Sequence, residues 1–260
     1  MRHSPPSKTI LVVIVLLALA VIGIVFYLHR GTSGLAVHPV PETVVLPTPG
    51  QWPSTVLRDQ TVTDNSNYYT VSAAYPVTND TVINNYFQSF VNDSIAQFKD
   101  DISWAAPTPG SAAPSTPPAL SLSIKYTEHK TVRADNFVFS TTTYTDGAHG
   151  LESTKTFSFS PTGQQVAVAS LFSNGLDGLK TIAPYVKAQL VHSPGADATM
   201  IDAGTAPTVD NYQSFTIEDD GIIFIFDPYQ VAPYAVGQQS VRVPLSVFSD
   251  IASKDIFTTR

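Results

Sequence analysis

The sequence predicts an α+β fold: an antiparallel sheet with helices packed on one face, in two lobes, after an N-terminal transmembrane helix. Three observations lead there. Alternating, β-rich runs gather in the middle and at the end of the chain. Two other segments repeat their apolar residues with a helical period. The regular strand–helix alternation of a doubly wound α/β sheet is missing, and so is a Gly-rich phosphate loop.

The chain opens with MRHSPPSKTILVVIVLLALAVIGIVFYLHR. Its uncharged run from Ile10 to Leu28 would reach about 28 Å as a helix, enough for the hydrocarbon layer of a bilayer. Arg2 and Lys8 precede the run and only Arg30 closely follows it, so the positive-inside bias places residues 1–9 in the cytoplasm and the rest outside. The expected localisation is the cell membrane, single-pass, with the N-terminus cytoplasmic and the C-terminal domain extracellular. A cleaved signal peptide is the alternative, since Gly34 and Ala36 suit a small-x-small cleavage site, although its apolar core is usually shorter.

Residues 29–56 read as a stalk, because HPVPETVVLPTPGQWP (38–53) holds five prolines in sixteen residues and favours extended backbone. A second such stretch, APTPGSAAPSTPP (106–118), excludes helix and central strand for want of N–H donors and reads as a long loop or a hinge. It closes a smaller N-terminal lobe, 57–118, and 119–260 forms a C-terminal domain.

Within the first lobe YYTVSAAYP (68–76) alternates as a strand. The following segment, Val82 to Phe98, has a broad apolar helical face drawn from Val82, Ile83, Tyr86, Phe87, Phe90, Val91, Ile95 and Phe98, with Thr78 or Asn79 as its cap. Beyond the hinge, LSLSIKYTEH (120–129), NFVFSTTTYT (136–145) and TKTFSFS lead through a Pro161-Thr162-Gly163 turn into QQVAVASLF, a meander of antiparallel strands. Asp177 is placed to cap a helix from Gly178 to Val191, with Pro184 inside it. YQSFTIE and IIFIF form a hairpin around Asp219-Asp220-Gly221, and SVRVP with a short helix near 245–251 completes the fold.

Charge and composition exclude several classes. Setting aside Arg2, Lys8 and Arg30 leaves 11 basic against 21 acidic residues outside the membrane, a formal charge of −10. Nucleic acid is therefore not an expected partner; an acidic surface would attract a cationic one, or else serves only to keep an exported domain soluble. There is no cysteine, so the exported domain must rest on its core without disulfides and has no thiol nucleophile. The six histidines show no i, i+4 pair, and no metal or other cofactor is expected. Asp146 and His149 in TYTDGAHG are close enough to share a turn and are candidates for an acid/base pair, a metal or a contact; the alternative is a glycine-rich strand-end turn with the histidine ring hydrogen-bonded for structural reasons. The segment echoes the T-F-D-D-G motif of polysaccharide deacetylases but has one Asp where the motif has two, and His192-Ser193 leads to Ala196 where the second histidine would stand. Glu218, Asp219 and Asp220 read as a solvated turn, and no catalytic residue is assigned.

FDPYQVAPYAVG (226–237) crowds two Pro-Tyr pairs and a glycine into a short loop after an apolar strand. Tyr229, Pro233 and Tyr234 are candidate contacts there, or else tyrosines packed beneath the loop with their hydroxyls on backbone. Together with Gly147-Ala148-His149-Gly150 and the tract from Ser160-Pro161-Thr162-Gly163 to Leu171-Phe172, this loop resembles the extracytoplasmic domain of unknown function shared by the anti-sigma factor RsiV and the peptidoglycan deacetylase PdaC. The resemblance implies a membrane-anchored binding or sensing module, non-catalytic, for a cell-wall component such as peptidoglycan or for a wall-degrading enzyme such as lysozyme. The alternative it implies is a peptidoglycan-modifying enzyme or an accessory of one. The nine residues before the anchor are too short for the sigma-binding segment of RsiV-like proteins, and no deacetylase domain follows in this sequence.

Overall fold

The structure, a computed structural model, describes residues 52–106 and 120–258. The expected anchor at 10–28, most of the stalk and nearly all of the second proline stretch lie outside the described residues. Among the described residues no helix is long and apolar enough to cross a membrane.

Five strands form the first sheet in spatial order β1 (Val56–Asn65), β2 (Tyr69–Thr78), β3 (Leu120–Lys130), β4 (Asp135–Tyr144) and β5 (Leu151–Phe159). One face is apolar, with Val71, Ala73, Leu122, Ile124, Phe137, Phe139, Phe157 and Phe159 all buried. Helix α1 (Thr81–Asp101) covers that face with Ile83, Phe87, Val91 and Phe98, and the Phe87 ring lies 4.8 Å from that of Phe137. Such rings bury large areas and meet edge to face, which makes this cluster the main apolar contribution on the first side of the molecule.

Several expectations are corrected by this arrangement. The sheet is mixed, because β2 and β3 pair in parallel, Tyr69 opposite Leu120 through Ala73 opposite Ile124. A parallel pair needs a long crossover, and the 21-residue α1 supplies it. The sheet therefore runs across the expected lobe boundary at 118/119, and the described residues hold two apolar cores, one drawn from residues 69–159 and one from residues 166–257 with Ala134. The folded part also starts before the expected end of the stalk, since Ser54 is fully buried. Asp80, not Thr78 or Asn79, caps α1: its carboxylate accepts from the N–H groups of Val82 and Ile83 at 2.7 and 3.1 Å, while the Thr78 hydroxyl turns to Asn84. The helix buries a narrower face than the periodicity implied, leaving Val82 and Tyr86 exposed.

The second core surrounds a three-stranded sheet, β6 (Phe215–Glu218), β7 (Gly221–Phe226) and β8 (Gln239–Pro244), with the hairpin turn at Asp219-Asp220. Helix α2 (Gly178–Leu190) lays Leu179, Ile182, Val186 and Leu190 on this core and runs through Pro184. Asp177 does not cap it; the carboxylate pairs with Lys180 at 2.7 Å instead. QQVAVASLF is not a strand: Gln165 makes a single bridge with Phe159, and Val168–Leu171 is a 3-10 turn. Two short helices, α3 (Ala198–Gly204) and α4 (Lys254–Phe257), complete the unit, and the expected helix near 245–251 is a pair of 3-10 turns.

The two cores meet through hydrogen bonds rather than apolar packing. The other face of β4 and β5 carries Asn136, Thr154, Thr156 and Ser158, all buried. Asn136 Oδ1 accepts from Ile217 N (2.9 Å) and from Ser158 Oγ (2.7 Å), while its Nδ2 donates to Ile217 O (3.1 Å) and His129 O (3.0 Å). One side-chain amide thus meets both backbone groups of a β6 residue, as a neighbouring strand would. Phe215 N donates to Thr156 Oγ1 and Ser214 Oγ donates to Thr154 O alongside it. With Asn136→Leu, the buried Ile217 N–H loses its Asn136 partner while its C=O keeps the Thr131 hydroxyl at 3.2 Å; unfolding in urea should show a loss of about 2 kcal/mol with the m-value unchanged.

Beside Asn136, Asp135 is also fully buried. Its Oδ2 accepts from the Ser54 hydroxyl and from Lys130 Nζ at 3.1 Å, and its Oδ1 has no hydrogen-bond partner among the described residues. Burial pushes its carboxyl up to about 6 against the opposing pull of Ser54 and Lys130. A carboxyl whose pKa is raised on folding favours the native state in its protonated form. That contribution is complete below about pH 4 and is lost as pH rises through about 6. The stability difference between Asp135→Asn and the native sequence should therefore move in the variant's favour from pH 4 to pH 7, measured as urea midpoints across that range.

Candidate functional site

Two loops from distant parts of the sequence meet at the end of the first sheet. The first is the β4–β5 turn, where Tyr144 Oη donates to Gly147 O (2.9 Å) and Asp146 takes a left-handed φ of 70°. The second follows β7, where Pro228 and Pro233 deny the ladder their N–H groups, and Gly237 at φ 77° and ψ −170° makes a turn that only glycine adopts readily.

The second loop is fixed at several points. Val231 and Ala232 are buried, Tyr229 N donates to Ala232 O (3.1 Å), and Gln230 N donates to Asp227 O (3.0 Å). The Gln230 amide reaches inward to Asn211 O at 3.0 Å. Gly204, the last residue of α3, lets the chain come this close: a Cβ there would lie 2.1 Å from Gln230 O. These anchors hold Tyr229 at a φ of 71°, a conformation that costs an L-residue about 1–2 kcal/mol. The residue is left 53% exposed.

The candidate residues Tyr229, Tyr234 and His149 come together. The His149 ring stacks on that of Tyr234, centroids 3.7 Å apart and planes 16° from parallel, and Tyr229 lies 5.5 Å from Tyr234 on the open side. Gly150 O accepts from both Tyr234 Oη (2.8 Å) and His149 Nδ1 (2.9 Å). Because a carbonyl only accepts, Nδ1 carries a proton, and Tyr229 Oη lies 3.4 Å from Nε2. The two readings of the tyrosines thus divide between them: Tyr234 is half-buried with its hydroxyl on backbone, and Tyr229 faces solvent.

Pro233 is exposed in the same loop, and Asp146 is exposed in the same turn as His149. The His149 ring nitrogens meet a carbonyl and a hydroxyl, not the Asp146 carboxylate, so the two do not form a hydrogen-bonded acid/base pair. The acidic hairpin has structural partners: Glu218 with His129 at 3.0 Å, Asp219 accepting from Val132 N, and Asp220 paired with Arg242. What this end of the molecule offers chemically is a compact cluster of aromatic rings, with His149 and Tyr229 exposed, suited to stacking on a ring or receiving a cation.

Sequence reasoning missed Asp227, two residues before Tyr229. Its Oδ1 is buried without a hydrogen-bond partner among the described residues, and burial pushes its carboxyl up while Thr154 opposes the shift. Gln230 and Gly204 were missed as well, since neither stands out from a polar loop and a short helix.

Comparison with known proteins finds a family model that matches the part of the chain holding this loop. Residues 169–246 match DUF3298, described as a protein of unknown function. The resemblance to PdaC is borne out: the chain is 26% identical over 195 residues to the peptidoglycan-N-acetylmuramic acid deacetylase PdaC of Bacillus subtilis, which is 74% of this chain and 40% of that protein. It is 29% identical over 107 residues to the immunogenic protein MPT64 of Mycobacterium tuberculosis, covering 40% of this chain and 46% of MPT64. An esterase of the same organism is 32% identical over 108 residues, covering 41% and 47%. The chain thus spans less than half the length of each of these relatives. Among solved structures, a DUF3298 family member from Bacteroides fragilis superposes with a TM-score of 0.51 at 15% identity, covering 79% of this chain and 98% of that one, and supports the α+β fold.

The strain at residue 229 gives a test that separates backbone from side chain. Tyr229→Gly and Tyr229→Ala both delete the ring, but only glycine accepts the left-handed backbone freely. The glycine variant should be the more stable of the two by about 1 kcal/mol in urea unfolding.

Proposed function

We propose that this protein is a non-catalytic binding or sensing module outside the cell, anchored through residues 10–28, that recognises a cell-wall component or a wall-degrading enzyme such as lysozyme. The observation that carries the reading is the aromatic cluster in which the exposed His149 stacks on the half-buried Tyr234 and the exposed Tyr229 lies beside them, held by a loop whose backbone is strained and pinned. Rigid aromatic rings give contact area at low entropy cost and are the residues on which binding energy concentrates. The acidic composition suits a cationic partner, whose lysine or arginine side chains would lie over the tyrosine faces.

A second reading, a peptidoglycan-modifying enzyme or its accessory, draws on the deacetylase and esterase among the relatives. It would have to build its chemistry on His149, whose partners here are Gly150 O and Tyr229 Oη.

Titration of the full chain with lysozyme, and sedimentation with insoluble peptidoglycan, both at low salt, test the first reading. Lysozyme binding should weaken with added salt, and Tyr229→Ala should weaken it about tenfold or more without lowering Tm. Failure to bind either partner sinks the proposal. Release of acetate from peptidoglycan that stops with His149→Ala would establish the second reading instead.

A further inference from the structure

The first described residues, Trp52-Pro53-Ser54-Thr55, are held from three sides. Asn79 N donates to Thr55 O (3.2 Å), which ties the segment to the junction of β2 and α1, and Thr55 N donates back to Trp52 O (3.1 Å). Pro53 packs on the 160–163 turn so closely that a Cβ at Gly163 would lie 3.1 Å from its own. Lys130 Nζ, at the end of β3, lies 5.8 Å from the centre of the Trp52 ring. Within these contacts the buried Ser54 donates its hydroxyl to Asp135 Oδ2.

The acceptor is poorly provided for as a charged group. Lys130 reaches only Oδ2, at 3.1 Å, and Oδ1 is buried with no partner among the described residues. A carboxylate shut off from water needs donors on both oxygens, so the docked segment covers a group that is better accommodated neutral. Burial holds its carboxyl up at about 6 against the pull of Ser54 and Lys130. The other charges around it do not offset this. Lys130 shares its ammonium with Glu128 at 3.0 Å on the same strand, and Asp80, which reaches the 160–163 turn from the β2–α1 junction, is engaged in capping α1. Residues 52–55 and 160–163 carry no charge.

Relief is available without unfolding. Lifting residues 52–55 breaks few hydrogen bonds, leaves the β1–β2 ladder from Val56 onward in place and returns water to Asp135, while the aromatic cluster under α1 stays closed. The sign of the linkage follows from the raised carboxyl: docking gains from the bound proton, fully below about pH 4, and loses that gain as pH rises through about 6.

We propose that Ser54 and Asp135 form an acid-tightened clasp, which holds residues 52–55 against the sheet when Asp135 is protonated and lets them lift away locally when its carboxylate is charged. The clasp is separate from the aromatic cluster and independent of what that cluster recognises. Its release changes reach, since four extended residues add about 14 Å of free chain on the N-terminal side of the first sheet.

Amide hydrogen exchange on the full chain at pH 4.5 and pH 7, corrected for intrinsic rates, reads the clasp directly. The amides of Thr55 and Asn79, whose acceptors belong to the docked segment, should open about tenfold or more readily at pH 7 than at pH 4.5, and at pH 7 far more readily than those of Phe87 and Val91 inside α1. Asp135→Asn should remove the pH difference. Ser54→Ala, which takes a donor from the charged form, should widen it. The inference is overturned if Thr55 and Asn79 open only together with the α1 amides, if their opening is the same at both pH values, or if the difference survives Asp135→Asn.

Discussion

The union of the two cores is a seam of hydrogen bonds with one buried amide at its centre. Asn136 stands on the polar side of the first sheet and hydrogen-bonds both backbone groups of Ile217 in the second. All four of its hydrogen-bonding positions are used, so it carries no desolvation penalty of its own. Apolar packing would allow β6 to slide along the face of β4 and β5. Directional bonds fix its register, and the hydroxyls of Thr156 and Ser214 repeat the same constraint on either side of Phe215. The position of β6 in turn sets where β7 ends and where the loop bearing Tyr229 and Tyr234 begins.

That loop then meets the β4–β5 turn because both project from elements tied together by the polar seam. His149 and Tyr234 are 85 positions apart in sequence, yet their rings lie in stacking contact and share one carbonyl acceptor. The strain at Tyr229 is tolerated because Val231, Ala232 and Gln230 over-determine the backbone around it. Loops that are stiff in the free protein lose little freedom when a partner arrives, which is why an exposed ring here is a better contact than one on a mobile tip.

Much of this architecture was legible in the sequence. The alternation of Phe137 and Phe139, or of Phe157 and Phe159, marks half-buried strands, and the spacing of Ile83, Phe87 and Val91 marks the helix that covers them. Strand β1 was not legible, since VLRDQTVTDN is polar at most positions and is a strand only because the edge of β2 pairs with it. Nor was the parallel pairing of β2 with β3, which is decided by where α1 returns the chain and not by either strand's own pattern. At the site, the composition of FDPYQVAPYAVG and of GAHG singled out the right loops. Their meeting, the left-handed Tyr229 and the strut from Gln230 past Gly204 are tertiary facts with no local signal.

The polar seam also bears on how the chain acquires its structure. The first core is complete by about residue 159, and the second is built almost wholly from residues C-terminal to that point. Emerging from N-terminus to C-terminus, the first half can close over α1 with the amide of Asn136 still bonded to water. Docking of the second half must then exchange that water for Ile217 in one step, because a partly seated β6 strips the solvent without replacing its hydrogen bonds. A second half docked out of register would strand these groups without partners, so the seam disfavours near misses, and hydrogen exchange at Ile217 would report whether it has formed.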